Sequence, residues 1–246
     1  MKALFLILLA WPSLLTQAQT PIHKSIPVQP GQVASFHFDY PELIRVSTWD
    51  KNEISINGTV SINGGESDDA FELTSSVSGN TILVRNEIHN LKGLPQRVTI
   101  TRGTQKIVFK SREDYRKYAE TNGRDFHTMN CGVDMDISIE VKVPRNMETR
   151  IESVYGMVEI RGFSGPLIVE ATYGGVDAAV AEQATGELVA ETSYGQIYSN
   201  LDARLTGDGF RQGDFHTVVS AKPGSGPRYS FESKYGNVYL RKPAVN

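Results

Sequence analysis

A repeat in the C-terminal half of the chain restricts its possible folds more than any other feature. The pattern Glu-x-x-Tyr-Gly-x-(Val/Ile) occurs four times, and its successive tyrosines are 18, 21 and 41 residues apart. The longest interval leaves room for one degenerate copy, which we place at 213–218. Turn tripeptides at 164–166, 185–187 and 225–227 precede three of the motifs. This period of about 20 residues is too short for helical repeats of about 33 to 47 residues.

The residues between the turns alternate as in β-strands rather than as in helices. Leu167, Val169 and Ala171 share one face, and the apolar residues change parity after Gly174. We therefore predict an all-β fold, a single-stranded parallel β-solenoid (β-helix) that is regular over 131–246. Its coils of about 20 residues would stack at the spacing of roughly 4.8 Å between neighbouring strands. One interior row is expected to contain Val158, Val176, Ile197 and Val238, with Val218 in the degenerate coil.

The Tyr-Gly pairs are predicted to form structural corners of the repeat. A strand cannot change parity, so the chain must bend or bulge at each glycine. This parity places the tyrosine rings inside, and we expect Tyr173 and Tyr194 to be mostly buried between neighbouring coils. The alternative is an exposed aromatic ladder that binds sugars. The corner residues are Tyr155, Gly156, Tyr173, Gly174, Tyr194, Gly195, Tyr235 and Gly236.

The same parity places the glutamates of the motif on the outer face. A solvated face that keeps the protein soluble is one interpretation of this row. A stripe that faces a ligand or partner is the other, because stacked carboxylates roughly 5 Å apart repel one another only modestly in water. The glutamates are Glu152, Glu170, Glu191 and Glu232.

The first residues have the pattern of an export signal. Residues 1–18 contain Lys2, an apolar stretch over 3–15 and small residues at 16 and 18, as in a cleaved signal peptide. The apolar stretch falls short of the roughly 20 residues that a membrane span needs. We therefore expect a mature protein that begins at Gln19 and is periplasmic, outer-surface or secreted, without an integral membrane segment.

Residues 19–130 are predicted to be a more irregular β-rich part. Short alternating segments such as 44–46, 54–56 and 82–84 could form irregular early coils or a small antiparallel cap. A charged insertion at 111–130 interrupts them, as a short helix or a projecting loop. Loops on rigid scaffolds often carry binding residues, so this insertion is a candidate partner surface, against the alternative of a solvated insertion. Its aromatic residues are Tyr115, Tyr118 and Phe126.

Composition and motifs argue against nucleic-acid binding, metal binding and catalysis. The chain of 246 residues has 25 basic and 28 acidic residues, a net charge of −3 that does not suit a nucleic-acid binder. One cysteine permits no intramolecular disulfide bond, and the five histidines are scattered. No nucleophile elbow, zinc motif or phosphate-binding loop is present. We expect no catalytic, metal or cofactor site and no enzyme activity.

The Ile-x-Ile-x-Val-x-Val-Pro strand at 137–144 and the repeated Gly-x-(Val/Ile) coils carry a family resemblance. Over roughly 33–240 the sequence resembles the exported bacterial β-strand-repeat domains known as "putative adhesin", including the related head-GIN group of autotransporter-adhesin type. It departs from them in having tyrosine where many coils carry serine or threonine. The resemblance implies an exported β-helical protein without a catalytic motif.

Three functions follow as hypotheses. The first is a non-catalytic adhesin or cell-envelope scaffold that binds a surface glycan or an envelope protein. The second is a structural envelope module without a ligand of its own. The third is a carbohydrate-active β-helix enzyme, which would need acid and base groups that converge on an open face.

Overall fold

The computed structural model describes residues 19–207 and 215–244. Nineteen strands and one α-helix, α1 (Arg112–Asn122), make up this part, with single 3-10 turns at Asp68–Ala70, Leu91–Gly93 and Glu182–Ala184. The strands are β1 (Thr20–Pro27), β2 (Val33–Phe38), β3 (Leu43–Trp49), β4 (Glu53–Ile62), β5 (Phe71–Ser78), β6 (Thr81–Ile88), β7 (Arg97–Arg102), β8 (Gln105–Phe109), β9 (Thr128–Gly132), β10 (Met135–Pro144), β11 (Thr149–Ser153), β12 (Met157–Ile160), β13 (Leu167–Ala171), β14 (Val176–Ala179), β15 (Glu187–Thr192), β16 (Ile197–Ser199), β17 (Thr217–Ala221), β18 (Arg228–Ser233) and β19 (Val238–Arg241).

Two eight-stranded sheets enclose one apolar core. The first sheet has the order β1-β4-β10-β3-β12-β14-β19-β16, and the second β17-β15-β18-β13-β11-β2-β6-β5. Apolar residues alternate with polar ones along the strands, and every second residue of a strand points into the core between the sheets. In β10, for example, Ile137, Ile139, Val141 and Val143 are buried and the residues between them are partly exposed.

Five strand–corner–strand units, numbered I to V in chain order, connect the two sheets. Each unit places its first strand in the second sheet and its second strand in the first sheet. Neighbouring units pair in parallel and in register, but their order in space is I, II, III, V, IV. The units are 33–49 (I), 149–160 (II), 167–179 (III), 187–199 (IV) and 228–241 (V).

The prediction of a single-stranded parallel β-solenoid is wrong. The sheets mix parallel and antiparallel pairs: β1 and β10 pair antiparallel with β4, β5 with β6, and β17 with β15. Unit V also inserts between units III and IV instead of following unit IV. Parallel stacking of the repeats is thus combined with antiparallel strands at the sheet margins, in an order that differs from the order along the chain.

The predicted interior row is confirmed for its four main members. Val158 pairs with Val176, Val176 with Val238, and Val238 with Ile197. The three valines are fully buried. Val218 does not belong to this row, because β17 lies in the second sheet and pairs Val218 with Glu191.

A small lobe projects from the sheets between β6 and β10. It consists of a three-stranded antiparallel sheet in the order β8-β7-β9 and helix α1, which packs on β7 and β8. The predicted charged insertion at 111–130 falls within this lobe and forms α1 and the start of β9. Ser111 caps the helix by accepting a hydrogen bond from the Asp114 amide.

Candidate functional site

Buried hydroxyl groups fix the conformation of the corners. In unit V, Ser233 Oγ accepts a hydrogen bond from the Gly236 amide (2.9 Å) and donates one to the Gly174 carbonyl of unit III (2.7 Å). Thr192 makes the same two bonds in unit IV, to the Gly195 amide and the Gly236 carbonyl, both at 3.0 Å. Both hydroxyl side chains are fully buried. Each of these corners is therefore tied both to itself and to its neighbour.

The corner glycines allow the backbones of neighbouring units to approach closely. A Cβ atom on Gly174 would lie 2.0 Å from the Gly156 carbonyl oxygen. On Gly236 it would lie 2.2 Å from the Gly174 oxygen, and on Gly195 1.9 Å from the Gly236 oxygen. Real Cβ atoms do not approach an oxygen so closely, so each glycine makes room for the next corner.

Six aromatic rings stack along the corners as one ladder, which we call the aromatic ladder. Its order is Tyr40, Tyr155, Tyr173, Tyr235, Tyr194 and Phe215, with ring centroids 5.1 to 6.1 Å apart. The four central rings are nearly parallel, with interplanar angles of 7° to 12°. Because the ladder follows the units in space, it places Tyr235 between Tyr173 and Tyr194.

The prediction that Tyr173 and Tyr194 are mostly buried is wrong. Their exposed fractions are 55% and 59%, and those of the other tyrosines of the motif are 57% for Tyr155 and 44% for Tyr235. The parity argument fails because β13 ends at Ala171 and a bend follows, so the strand alternation no longer applies at the tyrosine. The bend turns the ring outward, where it stacks on its neighbours in the ladder.

The hydroxyl groups of the central tyrosines are open to solvent partners. Within the described ranges, no protein group accepts or donates a hydrogen bond at the hydroxyls of Tyr155, Tyr173, Tyr194 or Tyr235. Buried Tyr229, in contrast, donates to the Phe163 carbonyl at 2.9 Å. The ladder therefore exposes ring edges and unpaired hydroxyls, while its ring faces partly cover one another.

The four glutamates of the motif form a continuous row on the outer face of the second sheet. Glu152 pairs with Glu170, Glu170 with Glu232, and Glu232 with Glu191. Arg150 neutralises one end of this row, because its guanidinium contacts Glu152 at 2.9 Å and Glu170 at 2.5 Å.

Glu152 at one end of the glutamate row and Glu232 inside the row differ in their electrostatics. A hydrogen bond from His37, together with Arg150, holds the pKa of Glu152 below its usual value even though partial burial opposes this. Burial raises the pKa of Glu232, and the charges of Glu191 and Glu170 raise it further. The negative charge is therefore stabilised at Glu152 and disfavoured at Glu232.

A cleft of about 650 Å³ adjoins the Tyr40 end of the ladder. The rings of Tyr40 and Tyr155 contribute to its wall, and the projecting lobe closes its other side. Its charges balance, with two lysines and two carboxylates. The polar side chains that line it are Glu42, Lys92, Gln96, Thr99, Lys106, Asn130 and Asp134.

One ion pair lies within this cleft. Lys106 Nζ contacts Asp134 Oδ1 at 2.7 Å. Burial disfavours the charged amine, but Asp134 and the more distant Glu42 and Asp136 outweigh it and raise the pKa of Lys106. Burial, followed by the charge of Asp136, raises the pKa of Glu42. A carboxyl with a raised pKa and a paired lysine thus line a cleft with an aromatic wall.

The aromatic residues of the charged insertion, predicted as a candidate partner surface, pack on one another and on Phe109 within the lobe. Tyr115 and Tyr118 pack on Phe109, with ring centroids 5.6 and 5.0 Å apart, and Phe126 packs on Tyr115 at 6.2 Å. These half-buried rings hold α1 onto the three-stranded sheet, which gives them a structural role within the lobe.

Sequence reasoning missed both ends of the ladder. Tyr40 lacks the following glycine, yet Ala34, Phe36 and Phe38 precede it with the spacing seen before Tyr173. Phe215 lies midway between Tyr194 and Tyr235 along the chain, within the predicted degenerate copy at 213–218. It stacks on Tyr194 at the end of the ladder, and residues 213 and 214 lie outside the described part.

Three further predictions concern the signal peptide, a membrane-spanning segment and a metal site. Residues 1–18, the predicted signal peptide, lie outside the described part. None of the helices described is long and apolar enough to cross a membrane. In 19–207 and 215–244, no three His, Cys, Asp or Glu side chains are grouped so that they could hold a metal ion.

Comparisons with known proteins found similarity only among solved structures. No protein-family model matches the chain, and no curated protein matches its sequence. A "putative cell adhesion protein" from Clostridium sporogenes is 10% identical, with a TM-score of 0.41, over 91% of this chain and all of that one. A "putative adhesin" from Bacteroides fragilis is 11% identical, with a TM-score of 0.24, over 92% of this chain and 98% of that one.

Proposed function

We propose that this chain is a non-catalytic, exported, adhesin-like protein of the cell envelope. Its aromatic ladder and the adjoining cleft would bind a neutral surface glycan. The observation that carries the proposal is the exposure of the ladder: its tyrosines of the repeat motif are 44% to 59% exposed, and Phe215 is 70% exposed. Contiguous exposed apolar surface on a soluble protein commonly marks a binding site.

The chemistry of the ladder suits a ligand that combines apolar and hydroxyl-bearing surface. Tyrosine supplies a rigid ring and a polar tip at low entropic cost, which is why it is enriched in recognition surfaces. The exposed parts of the rings can pack against the apolar patches of a sugar. The unpaired hydroxyls of Tyr173 and Tyr235 can bond to its oxygens. An extended glycan would satisfy several corners at once.

Charge around the ladder favours a neutral ligand over an acidic one. The glutamate row lies three residues before the ladder in every motif and would repel a polyanion. The two lysines and two carboxylates of the cleft balance each other. A neutral polysaccharide is therefore not repelled by the glutamate row, and it meets a cleft whose charges balance.

Binding without catalysis is part of the proposal. Glycoside hydrolysis needs two carboxyl groups on either side of the scissile bond. In the cleft, Asp134 is engaged by Lys106, and only Glu42 retains an unpaired carboxyl among the lining residues. We therefore expect a bound glycan to be released unchanged, which chromatography of the glycan after prolonged incubation would check.

A comparison of tyrosine variants on immobilised neutral and acidic glycans tests the proposal. Tyr173→Ala and Tyr235→Ala should each weaken binding to a neutral glycan about tenfold or more, equivalent to roughly 1.4 kcal/mol. Tyr198→Ala is the matched control. Tyr198 is 46% exposed and lies outside the ladder, where its ring stacks on Tyr239 with centroids 5.1 Å apart. This variant should bind as the wild type does.

Two outcomes would contradict glycan binding. Equal losses in Tyr198→Ala and the ladder variants would point to a general effect on folding. Absence of binding to every glycan, with ladder variants that change only the melting temperature, would favour the alternative of a structural envelope module, for which the mutual stacking of the rings would be sufficient.

A further inference from the structure

Unit V occupies an inner position that its place in the chain does not dictate. Its strand β18 pairs in parallel with β13 of unit III and with β15 of unit IV. Its strand β19 pairs likewise with β14 and β16. The preceding strand β17 lies at the sheet edge, beyond β15, and does not neighbour β18. All strand pairing of unit V is thus with units III and IV.

Units III and IV form a slot with equivalent sides. Tyr229 of unit V lies between Leu167 and Leu188, and Glu232 lies between Glu170 and Glu191. The corner contacts have the same character: Tyr235 stacks on a tyrosine on each side at 5.1 Å. None of these contacts depends on the segment that links unit V to β17, so a unit V supplied by another molecule would make all of them.

The link itself is a short, constrained hinge. Residues 222–227 read Lys-Pro-Gly-Ser-Gly-Pro and wrap around the turn before β15. A Cβ atom on Gly224 would lie 2.4 Å from the Gln183 oxygen, and on Gly226 2.2 Å from the Ala184 oxygen. Short hinges favour domain swapping. Opening this hinge would give up only its own contacts with 183–186.

We propose that two copies of this chain exchange unit V and form a domain-swapped dimer. Each copy would insert its own 228–241 segment between units III and IV of the other. The closed monomer and the exchanged dimer share every contact except those of the hinge, so hinge length and protein concentration set their ratio. The exchange keeps the aromatic ladder complete, because the incoming Tyr235 fills the same place between Tyr173 and Tyr194.

Paired cysteines distinguish exchange from simple surface association. In a Cys131→Ser background, Ile168→Cys with Ser230→Cys joins register partners on β13 and β18. The matched control is Arg150→Cys with Ile168→Cys, which joins register partners on β11 and β13, neither of which exchanges. Dimers are collected by size-exclusion chromatography, oxidised, and separated on a denaturing non-reducing gel.

The first arm uses a shortened hinge. Deletion of Gly224 and Ser225 should convert the protein to a dimer, because a shorter link cannot return to its own slot. The first cysteine pair should then give covalent dimers on the gel, while the control pair gives monomers. A hinge-shortened protein that stays monomeric, or a dimer whose first pair forms bonds only within one chain, would overturn the proposal.

The second arm needs no deletion and decides the matter if the shortened chain does not fold. Two copies with the natural hinge and different tags are unfolded together and refolded at high and low protein concentration. Covalent heterodimers through the first pair should increase with concentration, and the control pair should give none. Absence of such heterodimers at every concentration contradicts exchange.

Discussion

Tyr173 illustrates how an exposed side chain can still contribute to stability. Its ring is 55% exposed, yet it stacks on Tyr155 at 5.3 Å and on Tyr235 at 5.1 Å. Aromatic pairs of this kind contribute about 0.5–1.5 kcal/mol each beyond the area that they bury. Stability and ligand contact are therefore available from the same ring, and their shares can be measured separately.

Tyr173→Ala should lower the free energy of unfolding by about 1–3 kcal/mol, because two stacking contacts are lost. A fully buried aromatic would cost about 3–5 kcal/mol on the same change. Tyr198→Ala, with the single stacking partner Tyr239, should lose roughly half as much. Urea denaturation of both variants checks this, and a loss above about 4 kcal/mol for Tyr173→Ala would mean that the ring is buried in solution.

Glu232 and Glu152 lie in one row but should respond oppositely to pH. The raised pKa of Glu232 means that its ionisation opposes folding. This penalty is absent below the usual carboxyl pKa, develops as the pH rises through the raised value, and is complete above it. Glu232→Gln should therefore raise the melting temperature at pH 7 and leave it unchanged near pH 3.

The companion variant Glu152→Gln has the opposite sign. The lowered pKa of Glu152, caused first by the His37 hydrogen bond, stabilises the fold above the usual carboxyl pKa. That stability is lost as the pH falls through the lowered value. Glu152→Gln should thus lower the melting temperature at pH 7 and lose its effect in acid. Shifts of the same sign in both variants would refute this account of the row.

At the scale of elements, the backbones of neighbouring units approach so closely at the corners that only glycine fits there. Gly174→Ala places a methyl group 2.0 Å from the Gly156 carbonyl oxygen, so unit II or unit III must move. Overpacking of this kind typically costs about 1–3 kcal/mol. Gly132→Ala is the control, because a Cβ atom there meets nothing within 4 Å. Chemical denaturation should separate the two variants, and equal stabilities would contradict the close approach.

The repeat motif determines which residues pair, but it does not determine the order of the units. Fixed spacing within the motif predicts that Val158, Val176 and Val238 share a row, and they do. The same regularity gives units IV and V equal registers against unit III, so local sequence offers no preference between them. The insertion of unit V and the antiparallel partners of β4 and β15 depend on contacts distant in sequence, which periodicity does not encode.

The candidate site, like the fold, could be predicted from the sequence only in part. Outward glutamates follow from strand parity, since Glu152, Glu170 and Glu232 occupy regular strand positions. The outward tyrosines do not, because they lie in a bend after the strand has ended. The alternation of inward and outward side chains holds only within a strand, and Tyr173 lies two residues beyond the end of β13. The cleft depends on the lobe, whose residues line it together with Tyr40 and Tyr155 although they are far apart in the chain.

At the scale of the whole molecule, the lobe is a separable addition to the two sheets. Arg97 and Gly132 are direct antiparallel partners where β7 and β9 join the rest of the protein. The chain therefore leaves the sheets and returns to them at nearly one place. The lobe supplies Thr99, Lys106 and Asn130 to the cleft, whereas Tyr40 and Glu42 come from the unit I corner.

Replacement of 98–131 by Asn-Gly should leave the two large sheets folded, because a two-residue turn of this type connects directly opposed antiparallel strands. The far-ultraviolet circular dichroism should keep its β character, and unfolding should remain cooperative. Binding of the neutral glycan should weaken because one side of the cleft is lost, while the ladder remains. Unchanged glycan affinity in a folded variant would show that the cleft takes no part in binding.

The inner position of unit V has a consequence for the time at which the molecule becomes complete. A chain that is delivered from its N-terminus, by the ribosome or through a translocation pore, presents unit IV before unit V exists outside. Until residue 241 has arrived, both sheets lack their inserted strands, and the rings of Tyr173 and Tyr194 lack the ring that joins them. A chain that lacks residues from 228 onward would leave the facing strands of units III and IV without their inserted partners. Such unpaired strands are a ready target for proteases.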